Sequence, residues 1–319
     1  MLRVLGRTNM LAIFLKTLPF FGLIGLGYWA GRTRFFTEEA TAYLTKFVFY
    51  FALSAMIFQF SANLDAREVF SWPFIFAYLW ATALVYAIVT FVALWRGLTV
   101  AETAVEAQVG VIGNVGFLGL PMLAVLMGEA AVGPVVLVLA VDLLVFGSLI
   151  VILITGSREG RMSLGILATV GKGLVKNPMI MSMTAGFLCS SLSISIPGPV
   201  NEFLLILGAA ATPGALFAIG ASLASKSAER LSVAVWLSTS KLVLHPLAVA
   251  VAALVIFPVE PYAASVMIAA AALPVAGNVY IIAQHYGVAP QRVSAAILVS
   301  TAVSIVTVSL VIGWVSLPQ

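Results

Sequence analysis

The feature that most limits how this chain can fold is a series of long apolar windows separated by short polar connections. A helix needs about 20 mostly apolar residues to cross a bilayer. Ten windows of that length lie at roughly 10–31, 41–61, 72–95, 103–127, 133–155, 177–196, 202–224, 231–256, 263–285 and 293–316. Composition agrees, because 62% of the residues are hydrophobic and 9% are charged, whereas a soluble domain is about 25% charged. We therefore predict an all-α polytopic membrane protein with ten transmembrane helices.

The fourth and ninth windows carry residues that interrupt helices. The segment Gly110–Pro121 contains four glycines and a carboxamide besides its proline, and the segment Ala272–Gln284 contains Pro274, Gly277, Asn278 and Tyr280. Hydrocarbon cannot satisfy free backbone N–H and C=O groups, so a broken helix at membrane depth must be covered by protein or face a watery cavity. Paired interruptions in the two halves of a membrane chain are typical of a transporter's binding site.

The distribution of basic residues predicts the orientation. If both termini are non-cytoplasmic, the cytoplasmic connections carry most of the lysines and arginines, as the positive-inside rule expects. These residues are Arg32, Arg34, Arg96, Arg158, Arg161, Lys172, Lys176, Lys226, Arg230 and Arg292. The opposite side has only Arg3, Arg7 and Arg67. We expect a multi-pass protein of the cell membrane, and its net charge of +4 needs no nucleic-acid partner.

Ten spans divide naturally into two sets of five. We predict a first five-helix repeat at 1–155, a cytoplasmic connecting loop at 156–176 and a second repeat at 177–319. An odd number of helices per half places the halves in opposite orientations, so the repeat is inverted. Weak similarity between 52–64 and 211–223 agrees with this division. The two interrupted windows are then repeat partners.

The mid-span carboxamides Asn114 and Asn278 are the leading candidates for ligand contact. Each could donate hydrogen bonds to an anionic substrate, or could cap the broken backbone of its own helix, and one amide can do both. Pro121 and Pro274 mark either a crossing of two unwound helices or ordinary kinks; nearby glycines favour the crossing because they allow close backbone approach. The predicted substrate-binding set is Gly113, Asn114, Val115, Gly116, Pro121, Pro274, Gly277, Asn278 and Tyr280.

Few ionisable residues lie inside the windows, and each is a candidate functional residue. Asp142 and Lys241 could form a pair that acts either as a structural strut or as a coupling site whose protonation changes during transport. His245 shares a helix face with Lys241. Lys16 and Lys46 lie near span ends and can extend toward the interface. For Glu106 we favour a structural interpretation, in which it is an acidic side chain at a helix N-terminus.

Enzyme motifs are absent from the sequence. We find no phosphate-binding loop, zinc-ligand spacing, paired mid-membrane acids or nucleophile–base arrangement, and we expect neither a cofactor nor a metal. The single cysteine, Cys189, excludes an internal disulfide.

Several blocks resemble the auxin efflux carrier family. Asn114–Pro121 matches its Asn-x-Gly-Phe-x-Gly-Leu-Pro signature; further matching blocks are Lys176–Pro178, Ala211–Ala224, Lys241–Pro246, Ala272–Pro274 and Ala283–Gly287. Ser54 departs from the usual family pattern, in which most members carry a proline at that position of the second helix.

The resemblance implies a fold akin to the bile acid:sodium symporters, with helices four and nine crossing at Pro121 and Pro274. It implies a scaffold of helices 1, 2, 6 and 7 and a transport domain of helices 3–5 and 8–10. It further implies a homodimer, an elevator-like mechanism, substrate amides at Asn114 and Asn278, and a supporting cation at Lys241.

We therefore expect a secondary carrier of small organic anions, either malate-like or auxin-like carboxylates. Acidic oxygens are absent from both interrupted segments, so coupling to protons or to the membrane potential is favoured over sodium. An anion channel or a cation/proton antiporter with the same architecture is the alternative, and a non-transporting sensor or scaffold is a third interpretation.

Overall fold

A computed structural model describes residues 2–64, 70–159, 164–225 and 231–316. Side chains are described from residue 12 onward, so those of Arg3 and Arg7 are not. Four more of the cations that predict the orientation lie outside the described residues: Arg67, Arg161, Lys226 and Arg230. Within these ranges the chain is helical, which confirms the predicted class.

The α-helices are numbered in chain order from α1 to α17. Their bounds are α1 Leu2–Arg32, α2 Glu38–Phe47, α3 Leu53–Asn63, α4 Trp72–Trp95, α5 Val100–Val111, α6 Leu120–Met127, α7 Val132–Val141, α8 Gly147–Glu159, α9 Leu164–Lys176, α10 Pro178–Ser191, α11 Gly198–Ala209, α12 Ala211–Ala224, α13 Leu231–Thr239, α14 His245–Val251, α15 Pro261–Ala271, α16 Gly277–Tyr286 and α17 Pro290–Val315.

Seven helical stretches among the described residues are long and apolar enough to cross a membrane. They are Ala12–Arg32, Glu38–Asn63, Trp72–Trp95, Glu129–Arg158, Gly198–Ala224, Leu231–Ile256 and Pro290–Val315. The other three predicted windows differ for physical reasons. Windows 103–127 and 263–285 are each divided into shorter helices, and window 177–196 contains α10, which has only 14 residues.

The predicted connection 156–176 contains helical residues in its described part. α8 continues to Glu159, and α9 occupies Leu164–Lys176. Apolar and polar residues of α9 fall on opposite faces, a pattern typical of helices that lie along a surface. Ile166 is 1% exposed whereas Leu167 is 56% exposed, so α9 packs with one face only.

Five π-helical turns lie among the described residues; four of them lead into an α-helix, and the fifth follows α14 and ends that helix. They are Val48–Ala52, Val115–Gly119, Asp142–Phe146, Ser240–Leu244 and Ala252–Ile256. A π-helical turn adds a residue to a helix and is frequently found at functional sites. Two of these turns carry the buried ionisable residues Asp142 and Lys241.

Close backbone contact joins α1 to α12. A Cβ atom at Gly27 would lie 2.1 Å from the carbonyl oxygen of Phe217, and one at Gly220 would lie 1.9 Å from that of Ile24. Small residues permit this approach, which is the usual basis of helix association inside membranes. These helices therefore form one tightly joined pair, and α3 packs against α10 and α11 beside it.

The interrupted helices lie in a second group of contacts. α5 packs against α4, α8 and α13, while α15 packs against α7, α14 and α17. Their side chains are largely buried, including Ala104, Ala107, Ala269 and Ala270 at 1% exposure or less. The two interruptions are consequently covered by protein, as backbone groups at membrane depth require.

Candidate functional site

The interruptions occur within the two segments indicated by the sequence. α5 ends at Val111, and Ile112 leaves the helical region with φ −82° and ψ 115°. Helical structure resumes in the π-helical turn Val115–Gly119, which leads into α6. In the other segment, α15 ends at Ala271 and α16 begins at Gly277.

The two interruptions bind each other through backbone hydrogen bonds. The Asn114 N–H donates to the Pro274 carbonyl at 2.8 Å, and the Ala276 N–H donates to the Ile112 carbonyl at 3.1 Å. These bonds form an isolated antiparallel bridge between Gly113 and Val275. The bridge satisfies groups that neither broken helix could satisfy alone.

Gly113 is closely packed at the bridge. A Cβ atom there would lie 3.2 Å from both Cε and Nζ of Lys241 and 3.4 Å from the carbonyl oxygen of Ala270. The absence of a side chain therefore lets the lysine ammonium group approach the joint between the two interrupted helices. Sequence reasoning singled out both residues but did not predict this contact.

The two prolines have different positions relative to the bridge. Pro274 lies between α15 and α16, and its carbonyl accepts one of the bridging hydrogen bonds. Pro121 lies in the first turn of α6, after the π-helical turn, where a missing N–H is tolerated. Neither proline lines the cavities described below.

Both candidate carboxamides lie at the joint. Asn114 is 5% exposed and occupies the N-cap position of the π-helical turn, but its side chain makes no capping hydrogen bond. Asn278 is the second residue of α16, and its Oδ1 atom is buried without a hydrogen-bond partner among the described residues. The Asn114 side chain therefore does not take the capping role considered for it, and its backbone carbonyl accepts from the Gly119 N–H at 2.9 Å as an ordinary bond of the turn.

Three cavities are lined by residues of the joint. A cavity of about 110 Å³ is lined by both carboxamides and by Gly277 and Tyr280, and a void of about 20 Å³ is lined by Gly113, Asn114, Val115, Gly116, Asp142, Gly277 and Asn278. A larger cavity of about 850 Å³ also includes Asn278 and Tyr280 in its wall. Of the predicted substrate-binding set, seven residues thus line cavities.

The wall of the 850 Å³ cavity contains four buried polar atoms that lack a hydrogen-bond partner within the described ranges. They are Oε1 of Gln108, Oδ2 of Asp142, Oγ of Ser148 and Oδ1 of Asn278. A buried polar atom without a partner costs free energy, so such atoms mark places where water or a ligand binds. Gln108 and Ser148 were not predicted; a glutamine in the fourth window was the available signal for the former.

A chain of hydrogen bonds holds the buried residues Lys241 and His245. The Lys241 ammonium donates to the Ala271 carbonyl and lies 3.3 Å from Nδ1 of His245. Nε2 of His245 lies 3.0 Å from the hydroxyl oxygen of Thr82. Because an ammonium can only donate, the geometry fits a neutral His245 whose Nδ1 accepts from Lys241. Lys241 thereby places a cation at the carbonyl end of α15, where the helix dipole is negative.

The pair suggested between Asp142 and Lys241 is not a direct salt bridge. Asp142 instead accepts a hydrogen bond from the Tyr78 hydroxyl at 2.9 Å, and the salt bridges among the described residues involve neither group. The π-helical turn directs one oxygen of Asp142 toward Tyr78, while Lys241 is bonded to a backbone carbonyl.

A cluster of ion pairs joins the ends of α4, α5 and α17. Glu106 is 1% exposed and contacts Arg96 at 2.7 Å and Arg292 at 3.2 Å, while Arg292 also contacts Glu102 at 2.7 Å. The structural interpretation of Glu106 as a helix N-terminal acid is therefore incomplete. That position belongs to Glu102, which forms a capping box with Thr99. Burial raises the pKa of Glu102, but bonds from Thr99 and Arg292 outweigh it and leave the pKa below its ordinary value.

In the described part of the chain, no three His, Cys, Asp or Glu residues come together in a group that could hold a metal ion. The fold and the cavity define a polytopic helical membrane protein with a polar interior at two interrupted helices, which is the architecture of membrane transporters. The chain belongs to the membrane transport protein family, the auxin efflux carrier group, whose family model matches residues 12–312.

Relatives with a similar sequence align with nearly the whole chain. The chain is 32% identical over 295 residues to the Rhizobium meliloti (strain 1021) protein named "Putative malonate transporter", an alignment that covers 92% of each chain. It is 25% identical over 312 residues to the "Uncharacterized transporter YfdV" of Escherichia coli (strain K12), covering 94% of this chain and 97% of the relative. The protein of that name from Shigella flexneri gives the same values.

Proposed function

We propose that this chain is a secondary carrier of small organic anions of the carboxylate class. The observation that carries the proposal is the bridge between two interrupted helices beside a cavity that is lined by the carboxamides of Asn114 and Asn278. α16 begins at Gly277 without a side-chain cap, so its first N–H groups are available to an anion. The name of the R. meliloti relative supports a small dicarboxylate such as malonate as the first substrate to test.

Substrate binding at this site uses donors from both interrupted segments. Asn114 and Asn278 replace part of the water shell of the carboxylate, together with the N–H groups at the start of α16. Gly113, Val115, Gly116, Gly277 and Tyr280 form the surrounding wall, while Pro121 and Pro274 shape the backbone on either side of the crossing. Because carboxamides are neutral, these donors leave no uncompensated charge at the site after the substrate has dissociated.

The ten predicted windows form two inverted repeats, at 1–155 and 177–319, that are joined through 156–176. Windows 1, 2, 6 and 7 form a scaffold, and windows 3–5 and 8–10 form a transport domain that moves as an elevator. The two groups of helix contacts support this division. The scaffold also forms a homodimer, and both termini are non-cytoplasmic in the cell membrane, so the 850 Å³ cavity faces the cytoplasm.

Coupling of transport to protons depends on the ionisable groups next to the crossing. Lys241 compensates the negative helix end at Ala271 and the charge of the substrate, and His245 holds the ammonium in place. Asp142 has one oxygen without a hydrogen-bond partner in the cavity wall. A proton on that oxygen removes repulsion of an anionic substrate and adds a donor, so Asp142 links proton binding to transport.

Transport into proteoliposomes tests the substrate site. Radiolabelled malonate uptake is expected to be saturable in the wild type and lost in both Asn114→Ala and Asn278→Ala, with protein yield unchanged, because each variant lacks one amide donor. Asn63→Ala is the matched control, since Asn63 is an exposed asparagine whose Nδ2 bonds to the Gln59 carbonyl. Normal uptake by either site variant would refute this assignment of the site.

A further inference from the structure

A lysine on the wall of the 850 Å³ cavity is not part of the proposed substrate site. Lys46 belongs to α2, which continues through Val48–Ala52 into α3 as one apolar stretch. It lies eight residues after Glu38, or about 12 Å along the helix axis, in a hydrocarbon layer about 30 Å thick. A cation at that depth is costly unless it meets water or an anion.

No countercharge is bonded to Lys46 within the part of the chain that the structure describes. In the salt bridges of that part of the chain, the cations are Arg96 and Arg292. The Lys46 ammonium lies 5.4 Å from the ring centroid of Tyr43, a contact that accepts a cation without neutralising it. The charged residues described in the cavity wall are Glu38, Lys46 and Asp142, so Lys46 is the cation of that wall.

Lys241, which is buried, differs from Lys46 in this respect. Lys241 is 0% exposed and is held by the Ala271 carbonyl and by His245. Lys46 is exposed and keeps its donors available. Extension toward the interface explains the direction of its side chain, and Tyr43 lies one turn nearer the helix start. Such extension does not by itself place the lysine on the wall of an internal cavity.

We propose that Lys46 forms an anion-docking site on the α2 wall of the 850 Å³ cavity, where it binds the carboxylate of an incoming substrate before the substrate reaches the crossing. The next wall residue links the two places: Thr45 lines both this cavity and the 110 Å³ cavity that contains Asn114 and Asn278. This inference rests on the proposed carrier function and adds a second point of contact to it.

The charge of Lys46 acts mainly on the capture of substrate. The same wall carries the acids Glu38 and Asp142, so the attraction is local to Lys46: a fixed cation beside low-dielectric walls raises the concentration of anions at its own position, and salt weakens the effect. A dicarboxylate carries two charges and is attracted more strongly than a monocarboxylate. Lys46 therefore favours dianions at low ionic strength without taking part in the movement of the transport domain.

Uptake kinetics with labelled malonate and labelled propionate test the docking site. In Lys46→Met the KM for malonate is expected to rise about fivefold at low salt, as for a solvent-exposed charge pair. The maximal rate stays unchanged, the KM for propionate rises less, and the difference from wild type shrinks at high salt. Lys46→Arg retains the wild-type KM. Lys16→Met is the matched control, because Lys16 is an exposed lysine in α1 that does not line the cavity.

Three results separate the two proposals. An unchanged KM in Lys46→Met, or an equal rise in Lys16→Met, overturns the docking site. If the KM of Lys46→Met is unchanged while Asn278→Ala loses uptake in the same preparation, the docking site is rejected and the carrier function stands. If the wild-type protein shows no saturable carboxylate uptake, the carrier function itself is rejected and the docking site with it.

Discussion

In the interruption after α5, the carboxamide residue Asn114 lies in the non-helical link itself, whereas in the interruption before α16, Asn278 lies inside the helix. The backbone N–H and C=O of Asn114 are both bonded, to Pro274 and to Gly119. Asn278 instead has a buried side-chain oxygen without a partner among the described residues. Asn114 therefore takes part in the backbone joint besides lining the cavities with its amide, whereas Asn278 contributes through its side chain.

The glycines at the two interruptions differ in the same way. Gly113 is packed against the end of Lys241 and the carbonyl of Ala270, while a Cβ atom at Gly277 would have no described heavy atom within 4 Å. Neither glycine has a positive φ, so packing rather than backbone conformation distinguishes them. The first interruption is sterically filled, and the second faces open space.

Lys241 contacts both interruptions, so its replacement is expected to give the largest effect. Lys241→Met removes the cation at Ala271 and beside Gly113, and we expect uptake to fall at least about tenfold, as when a buried charged hydrogen bond worth about 1–3 kcal/mol is lost. Stability should change little, because relief from burying an ammonium offsets the lost bonds. Uptake assays and thermal unfolding in detergent measure the two quantities separately.

A different outcome for Lys241→Met would change the comparison. If uptake is lost together with a large fall in the unfolding temperature, Lys241 is a structural strut that holds the interruptions together. Full uptake would show that neither interruption needs the cation. Lys172→Met is a useful control, since Lys172 is an exposed lysine on α9.

Gly113→Ala is expected to have an intermediate effect. The added methyl group lies 3.2 Å from two atoms of Lys241, and displacing the lysine should cost about 1 kcal/mol or slightly more, as overpacking does. Uptake should fall several-fold, since the ammonium moves away from the joint. Unfolding temperature and uptake identical to wild type would contradict the close packing at the first interruption.

The smallest effect is expected for Gly277→Ala. The methyl group points into open space at the first residue of α16, so stability should remain within about 0.5 kcal/mol and uptake within about twofold. A loss as large as that of Gly113→Ala would mean that both interruptions are equally filled and that the comparison is wrong.

Much of the architecture could be predicted because it depends on local sequence. A run of apolar residues such as 72–95 became the single helix α4, with the predicted bounds. The segments with glycine, proline and asparagine became the interruptions, since those residues weaken helices wherever they occur. Window 177–196 was less accurate: α10 ends at Ser191, followed by a turn, because apolar composition alone does not fix where a helix stops.

The partners of the buried polar groups could not be predicted. Asp142 could bond to any donor that the fold brings near, and the tertiary structure supplies Tyr78 from α4 instead of Lys241. Glu106 likewise finds Arg292, which lies far away in the sequence. Such choices depend on distances between helices, which composition and spacing do not contain.

The sequence by itself determined that this chain is a helical membrane protein of the auxin efflux carrier group, and where its helices break. Hydrophobicity and helix-breaking residues act over a few residues, so these properties can be read directly. Only the tertiary structure decided that the two breaks bind each other at Gly113 and Val275, that Lys241 lies beside them, and that Gln108 and Ser148 line the cavity. Those contacts join segments distant in sequence, and each exists because a buried polar group must find its partner in the folded protein.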